Sequence, residues 1–282
     1  MTNRGLLLSS VSFVALSALL SGSALAADPY AAPANLPAVS GQNGKLAAFT
    51  GSIGGDFTLG ATGSFTVPLS QQWGAQVDGL VGGAGGGTYY GVGGHLFTRD
   101  PARGLLGAYA SYVGWGTSST VDASSPIGSI ADITGADVGK VGVEGEAYLG
   151  RISLEGVAAY QFGTNTGATG SATVAFYPTD DLRLDLSFHY LQGPGGSLAA
   201  GVEWAPPGKS LSFFADAATA SGGSTVLVGL KAYFGGAEKS LIRRQREDDP
   251  DNLLPDDLYS SIGPAYCPPG TREFDGFCDG NL

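Results

Sequence analysis

The stretch 182–190, LRLDLSFHY, alternates strictly between apolar and polar side chains. The two parities hold different chemistry, namely Leu184, Leu186, Phe188 and Tyr190 on one and Arg183, Asp185, Ser187 and His189 on the other. Because successive side chains of a strand point to opposite faces, one face is oily and the other carries both signs of charge. A soluble sandwich buries the oily face, whereas a transmembrane barrel turns it towards lipid and lines its lumen with the charges.

The beginning of the chain has the layout of a secretory signal peptide. A short lead that contains Arg4 precedes a mostly apolar run, and Ala24-Leu25-Ala26 forms a small-x-small cleavage site. We predict cleavage between Ala26 and Ala27. A membrane-anchoring helix is the alternative, but the apolar run is short for a membrane span.

The rest of the sequence divides into three parts. A Pro- and Ala-rich leader occupies 27–44, alternating segments fill 45–235, and a charged linker with a cysteine-bearing tail follows over 236–282. No further apolar stretch after the signal peptide is long enough for a transmembrane helix, so a membrane-spanning chain of this kind must close into a barrel. Abundant glycine, with 47 residues, disfavours long helices.

The middle part predicts an all-β fold, an antiparallel transmembrane barrel of about twelve strands. Each candidate strand has nearly the length that a tilted strand needs to cross the hydrocarbon, and the candidates lie near 45–54, 57–67, 72–82, 88–98, 104–115, 137–148, 151–162, 170–178, 182–191, 197–205, 210–218 and 225–234. Only 104–115 is ambiguous, because both of its faces are apolar or small.

The connections alternate in kind along the chain. Short ones with Pro or charge, such as RDPARG, alternate with Gly-, Ser- and Thr-rich ones, the longest running from Gly116 to Ala136. This pattern indicates short periplasmic turns and longer extracellular loops. Aromatic residues near strand ends suggest interfacial girdles, formed by Trp73, Tyr90, Phe97, Trp115, Tyr148, Phe162, Tyr177, Tyr190, Trp204 and Tyr233.

The sequence also resembles a known family. The signal peptide, the alternating strands and the closing VLVGLKAYFG resemble porin-like outer-membrane β-barrels of Gram-negative bacteria. The phrases GSFTVPLSQQWGAQVDGLVG, GGHLFTRDPARGLLGAY and KSLIRRQREDDP are similar to a mostly uncharacterised alphaproteobacterial group, and the resemblance covers residues 1 to about 250.

This resemblance implies a place in the outer membrane, with outer-membrane lipid and the barrel-assembly machinery as partners. In such barrels the last strand carries an assembly signal, which Gly229, Ala232 and Phe234 match here, although further residues follow Phe234.

Parity predicts which charged residues line the lumen. The set is Asp78, His95, Lys140, Glu144, Glu146, Arg151, Glu155, Arg183, Asp185, His189, Glu203, Asp216 and Lys231. Acids outnumber bases in this set, which favours cations if a water path exists. The predicted function is therefore a narrow passive channel for small hydrophilic solutes. Two alternatives stay open, a closed structural or surface-interaction barrel and a secreted soluble ligand-binding barrel.

Other kinds of chemistry find little support in the residues. Asp185, Ser187 and His189 are alternate residues of one strand, about 7 Å apart along it, and so do not form the contacts of a catalytic triad. We predict no enzyme, no cofactor and no metal site, since there are only two histidines and they lie on separate strands. A net charge of −11 disfavours nucleic acid as a partner.

The tail contains both cysteines of the chain. Cys267 and Cys278 bracket a Pro-Gly loop, so in an oxidising compartment we expect a disulfide. The preceding charged run predicts a solvated linker with a short helix over Glu238 to Arg246. A barrel of this topology leaves the tail in the periplasm, where peptidoglycan or another envelope protein is the expected contact.

Overall fold

A computed structural model describes residues 36–85, 87–116, 137–163, 166–192, 195–220, 223–235, 238–248, 250–261, 272–274 and 277–279. The predicted signal peptide, with its cleavage site at Ala26 and Ala27, lies outside the described residues. So do Cys267 and therefore the expected disulfide.

Twelve antiparallel strands form a closed barrel, as predicted. In chain order β1 to β12 are Asn43–Ile53, Asp56–Pro68, Trp73–Ala84, Gly87–Asp100, Gly104–Gly116, Asp137–Leu149, Ile152–Gly163, Gly167–Thr179, Leu182–Leu191, Gly195–Trp204, Leu211–Ala220 and Gly223–Phe234. Each strand pairs with its sequence neighbours, and β1 pairs with β12 to close the barrel, with Gly44 opposite Phe234. Every one of these twelve strands is therefore paired on both of its edges.

The barrel has two different rims. The turn rim holds the start of β1, the end of β12 and the connections predicted to be short. The other strand ends form the loop rim; residues 117–136, which follow β5 in the sequence, lie outside the described residues. Several strands extend at this rim into the predicted Gly-rich connections, which are therefore shorter than expected. Between β1 and β2 only Gly54 and Gly55 remain, both with positive φ (60° and 96°), as a two-residue hairpin turn requires.

The apolar parity points outward. Leu186, in the middle of β9, has 55% of its side-chain surface exposed, while its neighbour Ser187 is buried. The same alternation runs round the barrel, with Val77, Val143 and Val228 exposed. The prediction of an oily exterior and a polar interior is confirmed, and the soluble ligand-binding alternative is wrong.

The ambiguous strand β5 is apolar on both faces for a physical reason. Leu106 faces outward, whereas Tyr109, Val113 and Trp115 are buried on the inner face. These inner residues do not contact water, because part of the chain beyond β12 packs against them. The lumen therefore has an apolar region that parity alone does not reveal.

The segment after β12 forms two helices and a hairpin. Helix α1 is Leu241–Glu247 and α2 is Leu254–Ser261, while β13 (Arg272–Phe274) pairs with β14 (Phe277–Asp279). None of the helices in the described part of the chain is long and apolar enough to cross a membrane.

Helix α1 lies across the turn rim. The Ile242 amide donates to the Asp180 carbonyl at 2.9 Å, and the Ser40 amide donates to the Glu247 carbonyl at the same distance. Leu241 and Ile242 are fully buried. The predicted short helix is present, but the expectation of a solvated linker does not hold for this stretch, because its apolar side chains and its backbone are bound by the barrel.

Helix α2 lies inside the lumen. Leu254 and Leu258 are buried in an apolar cluster that comprises, from the wall, Phe49, Ile53, Leu80, Ala84, Tyr89, Val113, Trp115 and Leu227. Leu254 lies directly over the inner face of β4, since a Cβ built at Gly91 or Gly93 would lie 3.4 Å from Leu254 Cδ2, which is close to ordinary van der Waals contact. The helix packs on the wall formed by β3 to β6.

Half of the expected aromatic girdle faces inward instead. Trp73, Tyr90, Phe162, Tyr190 and Trp204 are exposed as predicted, and the others are buried, namely Phe97, Trp115, Tyr148, Tyr177 and Tyr233. Several inward rings lie against the guanidinium groups of α1. The Arg246 guanidinium lies 4.9 Å from the centre of the Tyr148 ring, and that of Arg244 lies 4.7 Å from the Tyr233 ring. Proximity to a strand end does not decide which way a ring points.

The outward face predicts a depth-dependent cost for charge. Leu186→Arg is expected to lower the free energy of unfolding in lipid by about 2–4 kcal/mol, because it places a cation near mid-bilayer. Leu149→Arg, at the end of β6, is the matched control and is expected to cost about 0–1 kcal/mol. Denaturant titration of the refolded protein in bilayers measures both, and equal costs would contradict the assigned depth.

Candidate functional site: the barrel lumen

The predicted lumen residues lie on the inward face, with one exception. Six are buried, namely Asp78, His95, Lys140, Glu144, Arg183 and Glu203. Six more are half-buried, namely Glu146, Glu155, Asp185, His189, Asp216 and Lys231. Arg151 lies instead in the turn between β6 and β7, at the turn rim, where it pairs with Asp180 at 2.8 Å.

His95 on β4 joins two of the predicted acids. Its Nε2 lies 2.7 Å from Asp78 Oδ2, and its Nδ1 lies 2.8 Å from Glu144 Oε2. Both carboxylates receive a hydrogen bond only if the ring carries a proton on each nitrogen. The Gln76 amide also donates to Asp78, at 2.9 Å. The His95 ring therefore ties both acids to the wall, and Glu144 also lines a cavity in the lumen.

The next polar cluster fastens α2 to the wall. Asp257, on α2, accepts hydrogen bonds from the hydroxyls of Tyr109 and Ser111 and from Lys140 Nζ, the last at 2.7 Å. All four side chains are buried. The Tyr109 ring also contacts His95, with ring centroids 4.9 Å apart. A buried carboxylate with three donors is a strong anchor, because any of these groups left unpaired would be costly.

The chain between the two helices is held from several sides. Lys45 Nζ donates to the Pro250 carbonyl at 2.9 Å, and a guanidinium N–H of Arg183 donates to Asp251 at 2.6 Å. The Asn252 amide donates to Ser64 Oγ at 3.2 Å. These wall residues come from β1, β2 and β9, so the segment crosses the interior of the barrel.

The wall from β7 to β12 carries its own ion pairs. Arg183 pairs with Glu155 at 3.0 Å. Lys231 pairs with Glu203 at 2.6 Å, and Glu203 also accepts hydrogen bonds from Ser212 and Tyr233. Charges on the wall are thus partly balanced within it.

A cavity of about 200 Å³ remains between this wall and the C-terminal segment. Among the described residues that line it, eight are acids and three are bases, namely Glu144, Glu146, Glu155, Asp185, Glu203, Asp216, Asp251 and Asp256 against Lys45, Arg183 and Lys231. The inner surfaces of β8 and β10 contribute small side chains, which leave room. This cavity is the candidate functional site.

A second set of charged residues forms ion pairs within and next to α1 at the turn rim. Glu247 pairs with Arg243 at 2.8 Å and with Lys239 at 3.2 Å. Burial of Glu247 disfavours its charged form, but the hydrogen bond from Arg243 and the charge of Lys239 outweigh this effect, so the pKa of Glu247 is lowered. Arg246 donates to the Ile152 carbonyl at 3.0 Å.

Sequence reasoning missed the contribution of the tail. The wall binds four residues of the tail, namely Asp251, Asn252, Leu254 and Asp257. The sequence of this part of the chain had predicted a solvated acidic linker. One signal was present in the sequence. The inner face of β5 is too apolar for a water-filled lumen, which indicates that something else covers it.

Other predicted sites have defined places in the structure. Ser187 shares a hydrogen bond with Thr173 at 2.8 Å, across the β8–β9 pair. Gly229 faces inward on β12, and Phe234 faces outward at its end, but their role in assembly stays a prediction. Among the described residues, no group of three or more His, Cys, Asp or Glu side chains is arranged to hold a metal ion.

Comparison with solved structures gives similarity at the level of the fold. A KdgM porin in complex with disordered oligogalacturonate superposes with a TM-score of 0.50 at 10% identity, covering 68% of this chain and 99% of that one. Outer membrane phospholipase A from Escherichia coli has a TM-score of 0.45 at 13% identity and covers 69% and 92% of the two chains. Omp33 from Acinetobacter baumannii has 0.44 at 14%, covering 68% and 98%.

The chain thus has the fold of the outer-membrane β-barrels. Identities this low show the fold and not the activity. No family model matches the sequence, and no curated protein matches it significantly.

The Asp257 cluster predicts how firmly α2 is held. Asp257→Ala leaves the Lys140 ammonium buried without this carboxylate, which is expected to weaken docking by about 3–5 kcal/mol. Hydrogen exchange of residues 250–261 should rise accordingly. Asp256→Ala is the matched control, because this neighbouring acid faces the cavity, and its exchange should stay near that of the wild type. Unchanged exchange in Asp257→Ala would contradict the anchor.

The lowered pKa of Glu247 predicts a pH dependence at the turn rim. A carboxyl with a depressed pKa stabilises the folded state above its unfolded pKa of about 4.3, and this stabilisation is lost as the pH falls through the folded value. Glu247→Gln should therefore raise exchange of residues 241–248 at pH 7, and the difference from wild type should disappear only below pH about 4. Glu238→Gln, at an exposed position, is the control, and it should change neither the exchange at pH 7 nor its dependence on pH.

Proposed function

We propose that the protein is a porin-like channel of the outer membrane whose passage is restricted by its own C-terminal segment. The observation that carries the proposal is the acidic cavity lined by β1, β2, β6 to β12 and the C-terminal segment, which remains in the lumen beside the apolar cluster around α2. Small hydrophilic solutes are the class that fits a narrow polar passage.

A preference for cations follows from the charges of the cavity. Several acids there are not matched by bases, since eight acids face three bases in its lining. Rings of carboxylates attract cations and repel anions. Asp185 and Asp216 lie on β9 and β11, and both line this cavity.

A closed barrel without transport is the second candidate. It is favoured by the packing of Leu254 and Leu258 against the inner wall and by the four-membered Asp257 cluster. In that case α2 occupies the lumen at all times and makes the barrel more rigid. The two candidates differ in whether ions cross the isolated protein.

Further features of the proposal concern place and partners. The turn rim and α1 face the periplasm, where peptidoglycan or another envelope protein is the proposed contact. Outer-membrane lipid and the barrel-assembly machinery are the other proposed partners. In this proposal the protein passes solutes across the membrane and does not catalyse a reaction. Kinship with the alphaproteobacterial group is likewise proposed, on the sequence phrases that resemble it.

The test is the single-channel conductance of the purified, refolded protein in a planar bilayer. We expect small discrete steps with cation preference. Asp185→Asn combined with Asp216→Asn should reduce the cation preference, because it removes two charges from the cavity wall. Asp100→Asn, an exposed change at the turn rim, is the control and should have no effect.

Loosening the C-terminal segment tests the restriction itself. Asp257→Ala should give larger or more frequent channel openings than the wild type, because α2 then separates from the β3 to β6 wall more often. A protein that inserts but conducts no current, with or without this substitution, would refute the channel and leave the closed barrel.

A further inference from the structure

We infer that the C-terminal segment threads the barrel from the turn rim to the loop rim, so that the hairpin of β13 and β14, with Cys278, lies beyond the rim opposite the end of β12. The inference rests on the membrane-spanning barrel and not on conduction. It differs from the sequence-based expectation of a tail that stays wholly in the periplasm.

The path begins at the turn rim. Helix α1 binds the connection between β8 and β9 through Ile242 and Asp180, and its end binds Ser40 just before β1. Lys45, which holds the Pro250 carbonyl, is only the third residue of β1. Residue 250 therefore lies just inside the turn rim.

Each later contact lies further along the strands. Asn252 binds Ser64, which is five residues from the turn-rim start of β3 in register, since Ser64 pairs with Asp78. Leu254 lies against Gly91 and Gly93, in the half of β4 nearer the loop rim. The direction of travel is the same at every step.

The apolar cluster around α2 reaches the loop rim itself. Leu258 belongs to the same buried cluster as Ile53, Ala84 and Trp115. Ile53 is the last residue of β1, Ala84 is the last of β3, and Trp115 is the last but one of β5. Helix α2 continues for three residues beyond Leu258, and its end at Ser261 is thus directed at the loop rim.

A return to the turn rim would take the chain back beside α2, past the charged lining of the cavity. Eight of the eleven acidic and basic residues that line this cavity are acids. The chain after Ser261 is itself net acidic, with Glu273, Asp275 and Asp279 against Arg272. Exit through the loop rim avoids this like charge.

The consequence is a reversal of sidedness within one tail. Residues 238–248 lie at the rim where the barrel strands begin and end, and the hairpin of β13 and β14 would be presented beyond the opposite rim. With short turns in the periplasm, that rim is the cell surface. The acidic segment 250–257 would then be a part of the chain that spans the membrane inside the barrel.

The experiment uses the native cysteines, which are the only two of the chain. Intact Gram-negative cells expressing the full-length protein are treated with a reductant and then with a maleimide on a polyethylene glycol too large to cross the outer membrane. Both cysteines should be modified in intact cells, and the gel shift should equal that of permeabilised cells. Modification only after permeabilisation would overturn the inference.

Two reporters assign the rims independently of the orientation of the barrel. In a background with Cys267→Ser and Cys278→Ser, Ala102→Cys marks the turn rim and Thr166→Cys marks the loop rim, both at exposed positions. The native cysteines should behave like Thr166→Cys. If they behave like Ala102→Cys, the tail does not thread the barrel.

A second measurement does not depend on whether the maleimide can reach the thiols. An epitope added after Leu282 should bind antibody on intact cells, in the same samples in which an epitope in the turn of Ala102 does not. Binding of both only after permeabilisation would overturn the inference. Conductance is not part of either readout, so failure of the threading and failure of the proposed channel are distinguishable.

Discussion

Closure of the sheet is the constraint on which the rest of this structure depends. Hydrocarbon offers no partner for a backbone amide or carbonyl, so every strand must be paired on both edges. The pairing of β1 with β12 meets that requirement, and it brings the start and the end of the barrel together at one rim. The chain that continues after Phe234 therefore begins at the rim where Ser40 and Lys45 are available to bind it.

The lumen has two kinds of surface because helix α2 packs on one part of its wall. On β3 to β6 many inner side chains are apolar or hydrogen-bonded, with Leu254 and Leu258 on one patch and Asp257 bound by three donors on another. Beside this part, a cavity with more acids than bases is lined by β1, β2, β6 to β12 and the C-terminal segment itself. A passage, if it conducts, has to use the second surface, and a tail that holds to the first controls its width.

The sequence predicted the strands because the barrel imposes a period of two that is visible in single residues. Leu184 to Tyr190 turn outward as their parity indicates, and Asp78, His95 and Lys140 turn inward. The site was harder to predict because its second half is remote in sequence. Asp257 lies more than a hundred residues from Lys140, and no local pattern joins them. The aromatic residues near strand ends show the same limit, since Tyr148 and Tyr177 face the arginines of α1.

By itself the sequence determined the fold class, the number of strands and the inward face of twelve of the thirteen predicted lumen residues, because alternation and turn residues are local properties. Only the tertiary structure decided what the inner face meets. The inward Tyr109, Val113 and Trp115 fit either a dry core or an occupied lumen, and the acidic run after α1 fits either solvent or a buried anchor. Closing the barrel brings these two surfaces together. Packing them removes apolar area from water, and the three donors to Asp257 offset the cost of burying its carboxylate.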